Sequence, residues 1–170
     1  DLLTHIAGVD VQQRGPNGVQ ADISLRGGTF DQVAILLNGV NLSNPQTGHY
    51  SFDIPINLSD IDHIEIVQGP SSLVYGASAF AGGINIITKK DAQSNAFIEA
   101  SAGMHALAEA EARLAVKSQP WLNTISAGYQ RSDGYIDNSD YKIANVLWQS
   151  QFKTNDAAID IQAGFNDKKY

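Results

Sequence analysis

From Ala106 onward, apolar and polar residues alternate with the period of two that a β-strand with one buried face requires. One face carries Ala106, Ala108, Ala110, Ala112, Leu114 and Val116, the other Glu109, Glu111, Arg113 and Lys117. A second stretch sets Ala144, Val146, Trp148 and Phe152 against Asn145, Gln149, Gln151 and Lys153. A third sets Ala157, Ile159, Ile161, Ala163 and Phe165 against Asp160, Gln162 and Asn166. Phe97–Gly103 and Trp121–Arg131 are less regular strands of the same kind. Ahead of Lys90 the pattern changes. Val33–Leu37 is a continuous apolar run of strand length, which points to burial on both faces. Asn38-Gly39 follows it as a hairpin signal, with Val40 and Leu42 on the return strand. Val9–Val11, Ile23–Arg26, Ile64–Val67 and Ile84–Ile87 are further short strands. Leu2, Leu3 and Ile6 share a helical face, the expected tail of a helix beginning before residue 1 and ending at Gly8. Ser71 or Ser72 can cap a helical turn through Leu73, Val74 and Tyr75, stopped by Gly76, and Gly82-Gly83 predicts a tight bend.

The strand pattern fits two architectures. A soluble sandwich points its apolar face inward. A transmembrane barrel points it outward, with short turns at one end and longer loops at the other. The connections at Ser118-Gln119-Pro120 and Thr154-Asn155-Asp156 are tight, whereas Ser132–Asp140 is longer and polar. No Asp, Glu, Lys or Arg falls on the apolar face of the three regular strands, where a Lys or Arg at mid-membrane would cost about 2–4 kcal/mol. No apolar run approaches the ~20 residues of a transmembrane helix.

Composition narrows the chemistry. The net charge of −7, with no basic run longer than a pair, argues against nucleic acid. There is no cysteine, which removes disulfides, thiol nucleophiles and zinc fingers. The N-terminus lacks the charged and apolar regions of a secretory signal. No Gly-x-Gly-x-x-Gly or P-loop is present. Ser72 with His49 or His63 lacks a nucleophile elbow, and His5, His49, His63 and His105 are too scattered for a helical zinc pair. Asp133, Asp137 and Asp140 lack calcium-loop spacing. No catalytic residue, metal or cofactor is expected.

The stretch Ile64–Lys90 carries a more specific signal. Ile64-Glu65-Ile66-Val67, Gly69-Pro70-Ser71-Ser72, Tyr75-Gly76, Ala79 and Gly82-Gly83-Ile84-Asn85-Ile86-Ile87-Thr88-Lys89 resemble the end of the plug domain of TonB-dependent outer-membrane receptors. Gly8-Val9, Ile23–Gly27 and Leu36–Val40 fit the same family pattern in order. Gln68 stands where Arg commonly precedes Gly-Pro, and Asn38 where Asp commonly precedes Gly.

The resemblance implies an α+β plug with a small mixed sheet, followed by antiparallel strands of an incomplete transmembrane β-barrel. Residues 1–90 would be the plug, its N-terminal part missing, and 91–170 roughly the first five strands of the barrel. It implies a bacterial outer-membrane transporter, not an enzyme, that imports a scarce ligand such as cobalamin or an iron–siderophore. The plug would gate the barrel, and TonB would act through an N-terminal segment not present here. The rival from another class is a soluble extracytoplasmic β-rich binding or adhesion module. The resemblance places ligand at the loops Arg14–Gly18 and Asn44–Tyr50, hence at Arg14, Asn17, Gln46, His49 and Tyr50. Loops on a rigid scaffold are where binding residues concentrate. It also implies plug–barrel electrostatic contacts from Arg26 and Glu65 towards Glu99, Glu109 and Glu111 on the polar strand face. About five strands cannot close a barrel. The face of Val146, Trp148, Phe152, Ile159, Ile161 and Phe165 would meet lipid in a complete receptor. Burial is worth about 1.5–3 kcal/mol for each such side chain, so in water the plug or a second copy of the chain is expected to cover them.

Overall fold

The structure, a computed structural model, describes residues 2–14, 20–43, 53–76, 78–91 and 93–170. The chain divides into two units, Asp1–Ile54 with Asp62–Thr88, and Pro55–Ile61 with Lys89–Tyr170.

In the first unit β1 (Val9–Arg14) and β2 (Gln20–Leu25) form an antiparallel pair. A second sheet is built from β3 (Val33–Leu37), β4 (Val40–Asn41), β5 (Ile61–Gln68) and β6 (Gly82–Thr88), in the order β4-β3-β6-β5. β3 runs parallel to β6 and antiparallel to β4, so the sheet is mixed, and it unites the three apolar runs as expected. Every residue of β3 is buried, as its unbroken apolar run requires. Asn38 and Gly39 turn the β3–β4 hairpin with φ of +52° and +83°, values that an Asn-Gly pair tolerates best. The Asn38 carboxamide oxygen also accepts hydrogen bonds from the Thr88 amide at 3.0 Å and its hydroxyl at 3.1 Å. The helical turn α1 is Ser72–Tyr75.

Leu2–His5 form a 3-10 turn, and Gly8 follows at φ +81°. One expectation changes here. Gly82 opens strand β6 rather than forming a bend before it. A Cβ there would lie 2.2 Å from the Val67 carbonyl oxygen, so glycine serves close strand approach.

The second unit is a meander of β7 (Asn95–Ala102), β8 (Ala108–Ser118), β9 (Trp121–Ser132), β10 (Tyr141–Lys153) and β11 (Ala158–Lys169), all antiparallel and in sequence order. The register runs without a bulge, so alternation holds along each strand. Connections 103–107 and 133–140 lie at one end, and the tighter 119–120 and 154–157 at the other. β7 and β11 are free edges, so these five strands do not close into a barrel. The strands run further than their apolar cores suggest, which adds Lys142, Asp167 and Lys169 to the ends of the apolar face. On this face Trp148 is 39% and Phe165 65% exposed. The segment Pro55–Ile61 lies on the opposite, polar face, as the glycine gaps there allow. No helix among the described residues is long and apolar enough to cross a membrane, which says nothing of strands.

Candidate functional site

The polar face of the meander carries the densest polar chemistry among the described residues. Every second residue of β8 points to it, which brings Glu109, Glu111 and Arg113 into one row above Ala115. Gly128 on β9 and Gly164 on β11 leave gaps in the same face. A Cβ at Gly128 would fall 2.0 Å from the Asn57 Oδ1, and one at Gly164 2.3 Å from the Pro55 Cγ. Glycine inside a strand therefore marks the close approach of another segment, here the side chains of Pro55 and Asn57.

That segment ends in a 3-10 turn, Leu58–Asp60, which delivers one carboxylate to the wall. Asp60 is only 2% and Arg113 only 5% exposed. The Asp60 Oδ2 accepts from the Asn57 amide at 2.9 Å and from the Ser126 hydroxyl at 2.7 Å. Its Oδ1 lies 3.4 Å from the Arg113 Nε, an ion pair without hydrogen-bond alignment. Arg113 Nη2 donates to Asp91 in a short charge-assisted bond, and to the Lys89 carbonyl at 3.4 Å. The Lys89 amide donates to the Asp60 carbonyl at 2.8 Å. One guanidinium thus sits between carboxylates on either side of residues 62–88. Burial by itself would raise the Asp91 carboxyl, but hydrogen bonds from Arg113 and Asn95 and the charges of Arg113 and Lys89 outweigh it and hold the group below its ordinary value. A buried and a half-buried anion around one cation are tolerated because each oxygen finds a donor or a charge.

Nearer the longer loops, a hydrogen-bonded row crosses four strands. Glu109 accepts from the Ser101 hydroxyl at 2.8 Å and, in a short bond, from Gln130, whose amide also donates to the Tyr141 hydroxyl at 3.0 Å. Glu99 and Glu111 are register partners across β7 and β8. All three expected wall carboxylates therefore share the polar face. The 133–140 connection surrounds an open depression of about 470 Å³ whose lining includes Asp133, Tyr135, Asp137 and Asp140. No cluster of three or more His, Cys, Asp or Glu among the described residues has metal-binding geometry.

In the first unit, Glu65 accepts from the Asn85 side chain at 2.8 Å and lies 3.6 Å from the His63 Nε2. The His63 pKa is raised, chiefly by its hydrogen bond to Asp62 at 2.7 Å and further by Glu65. Arg26 closes β2 at φ +50°, its amide donating to the Gly8 carbonyl at 2.8 Å. Asn17, Gln46, His49 and Tyr50 lie outside the described residues, and Arg14 is described only as the backbone end of β1. Sequence reasoning gave no role to Asp60, Asp91 or Ser126, and used Arg113 only to define the polar face. The legible signal was glycine at 164, on the polar face of an otherwise regular strand, and glycine at 128 in a less regular one.

Residues 1–83 match the family model described as TonB-dependent Receptor Plug Domain. The vitamin B12 transporter BtuB of Vibrio vulnificus is 31% identical over 156 residues, covering 89% of this chain and 25% of that protein. BtuB of Vibrio cholerae (strain N16961) is 36% identical over 139 residues, covering 79% of this chain and 22% of that protein. The chain thus spans about a quarter of the length of these curated relatives. Among solved structures, the copper transporter OprC superposes with a TM-score of 0.76 at 22% identity, over 99% of this chain and 27% of that one. The pyoverdine receptor FpvA of Pseudomonas aeruginosa gives 0.75 at 19% identity, over 98% of this chain and 24% of that one. These last two likenesses are likenesses of fold.

Proposed function

The chain belongs to the TonB-dependent receptor family through its plug domain, residues 1–83, and from that premise we propose that it supplies the plug and the first wall strands of an outer-membrane importer. The plug is residues 1–90 and the wall begins at 91. The observation that carries this reading is the two-faced meander. Its apolar face is left for lipid, and its polar face is occupied by residues 55–61, a piece of the plug-family match, held through Asp60 and Arg113. A sandwich module would bury the apolar face instead.

The reaction is binding, gating and release, with no bond made or broken in the ligand. The plug closes the barrel, and TonB supplies energy through a segment ahead of the plug. The cargo is a scarce nutrient of the cobalamin or metal–chelate class. Cobalamin is favoured because the relatives above 30% identity are named as vitamin B12 transporters. Arg14, Asn17, Gln46, His49 and Tyr50 face the ligand. Arg26 complements the wall carboxylates Glu99, Glu109 and Glu111, and Glu65 belongs to the same set of plug–barrel electrostatic contacts.

The test is uptake of labelled cobalamin by cells whose only cobalamin receptor is the one carrying this chain. Uptake is expected to require TonB and to fall when the five loop residues are changed together to alanine, with barrel heat stability unchanged. Uptake that persists without TonB refutes energised import. Failure to take up cobalamin, with TonB-dependent uptake of a ferric chelate instead, moves the cargo within the class.

A further inference from the structure

The apolar face of the meander ends in a row of cations that no stretch of the sequence displays. Arg131, Lys142 and Lys169 are 11 and 27 residues apart along the chain. The register makes Arg131 the partner of Lys142, and Lys142 the partner of Lys169, so all three share one face across β9, β10 and β11. Like charges directly opposite one another are unfavourable unless an anion lies among them. All three residues are exposed. One anion accompanies them on that face, Asp167, whose Oδ2 lies 3.8 Å from the Lys169 Nζ. These four are the only charged residues on the apolar face of the described strands. The row beneath them is Tyr129 with Ala144 and Asp167, and the next two are apolar or aromatic: Ala127 with Val146 and Phe165, then Ile125 with Trp148 and Ala163. The opposite rim of the same face has Trp121 packed against Phe152, ring centroids 4.9 Å apart and planes tilted by 53°, and no cation.

We propose that Arg131, Lys142 and Lys169 form a headgroup site for a phosphate-bearing lipid whose acyl chains lie along the apolar rows below. The inference rests on the outer-membrane reading of the chain. The longer connections 103–107 and 133–140 lie at the cationic rim, so the site faces the outer leaflet. Asp167 neutralises part of Lys169, leaving Arg131 and Lys142 as the main contributors. Arginine offers a planar fork to phosphate oxygens and lysine a mobile point charge. Long cationic side chains at the end of an apolar strand can also keep their heads at the membrane boundary without binding any one lipid, and the experiment separates the two cases.

Native mass spectrometry of the intact receptor in detergent, titrated with phosphatidylglycerol or phosphatidylcholine, is the test. The wild-type receptor is expected to retain phosphatidylglycerol preferentially. Arg131→Gln and Lys142→Gln should each weaken that retention about fivefold, and Asp167→Asn should strengthen it, with phosphatidylcholine retention unchanged throughout. Added salt should weaken the preference of the wild type, a readout that needs no variant to fold. No preference in the wild type, or an unchanged preference in the Arg131→Gln/Lys142→Gln/Lys169→Gln variant, overturns the proposal. Displacement of the lipid by an equal concentration of inorganic phosphate also overturns it, because the chains would then contribute nothing. The uptake assay reports on the receptor reading separately, since none of these residues lies on the polar face.

Discussion

The two units differ in what they leave open and in the charge they bury. The first hides Ile23, Leu25, Val33, Ile35, Leu37, Ile84 and Ile86. The second hides Asp60, Arg113, Thr124 and Ser126 beside Ala115, Leu122, Tyr141 and Leu147, and leaves Ile125, Val146, Trp148, Ile159 and Phe165 open. Both use ordinary strands, unbroken and apolar at β3 in the first and alternating in the second. What differs is the solvent each outer face is built for. The first unit has a core in the aqueous sense, with a strand buried on both faces. The second has a polar interior face that receives a chain segment and an apolar exterior that water does not suit. Strand alternation by itself does not say which face is inside; the position of residues 55–61 does.

Removing Arg113 should have the largest effect. Arg113→Met leaves the buried Asp60 and the half-buried Asp91 without their cation, at a cost of about 3–5 kcal/mol. Denaturant unfolding of the detergent-solubilised receptor measures it. A loss under 1 kcal/mol would mean that water enters this cluster and that it does not fasten the segment to the wall.

A smaller effect should depend on the solvent. Val146→Lys is expected to cost about 2–4 kcal/mol in a bilayer, and to have little effect on the isolated chain in water. Its counterpart in the first unit, Ile35→Val, should cost about 0.5–1.5 kcal/mol in both settings, because that cavity is enclosed by protein. Equal behaviour of the two positions in both media would erase the contrast between the units.

The smallest effect is a titration. His63 gains a partner in the folded chain, so its pKa is raised. Its stabilising contribution is complete below the unfolded value near 6.5 and is lost as pH rises through the folded value. NMR should place its midpoint above that of an ordinary histidine, and Asp62→Asn should bring it down. An unmoved midpoint in that variant would remove Asp62 as the main cause.

What the sequence revealed, and what it hid, follow from the range of the interactions. Asn38-Gly39 was legible because a turn is specified by adjacent residues. The β8, β10 and β11 faces were legible because alternation is local. The pairing of Asp60 with Arg113 was not, since it joins a turn to a strand 53 positions away and each residue alone reads as solvated. The Arg131–Lys142–Lys169 row was hidden for the same reason, because register is fixed only when strands pair. Strand ends also ran past the last apolar residue, since ladder hydrogen bonds continue where the side-chain signal has stopped. Of the ligand-facing expectations, Asn17, Gln46, His49 and Tyr50 lie outside the described residues, and they stand as proposals.

The most direct test of the inverted second unit uses the absence of cysteine in this chain. Single cysteines at positions 143–149 of β10, in the intact receptor reconstituted in lipid and with any other cysteine removed, can each carry a nitroxide. Collision with lipid-dissolved oxygen is expected to be high at 144, 146 and 148 and low at 143, 145, 147 and 149. The opposite phase, or equal access to a water-soluble quencher at all seven positions, would contradict the assignment of the apolar face to lipid.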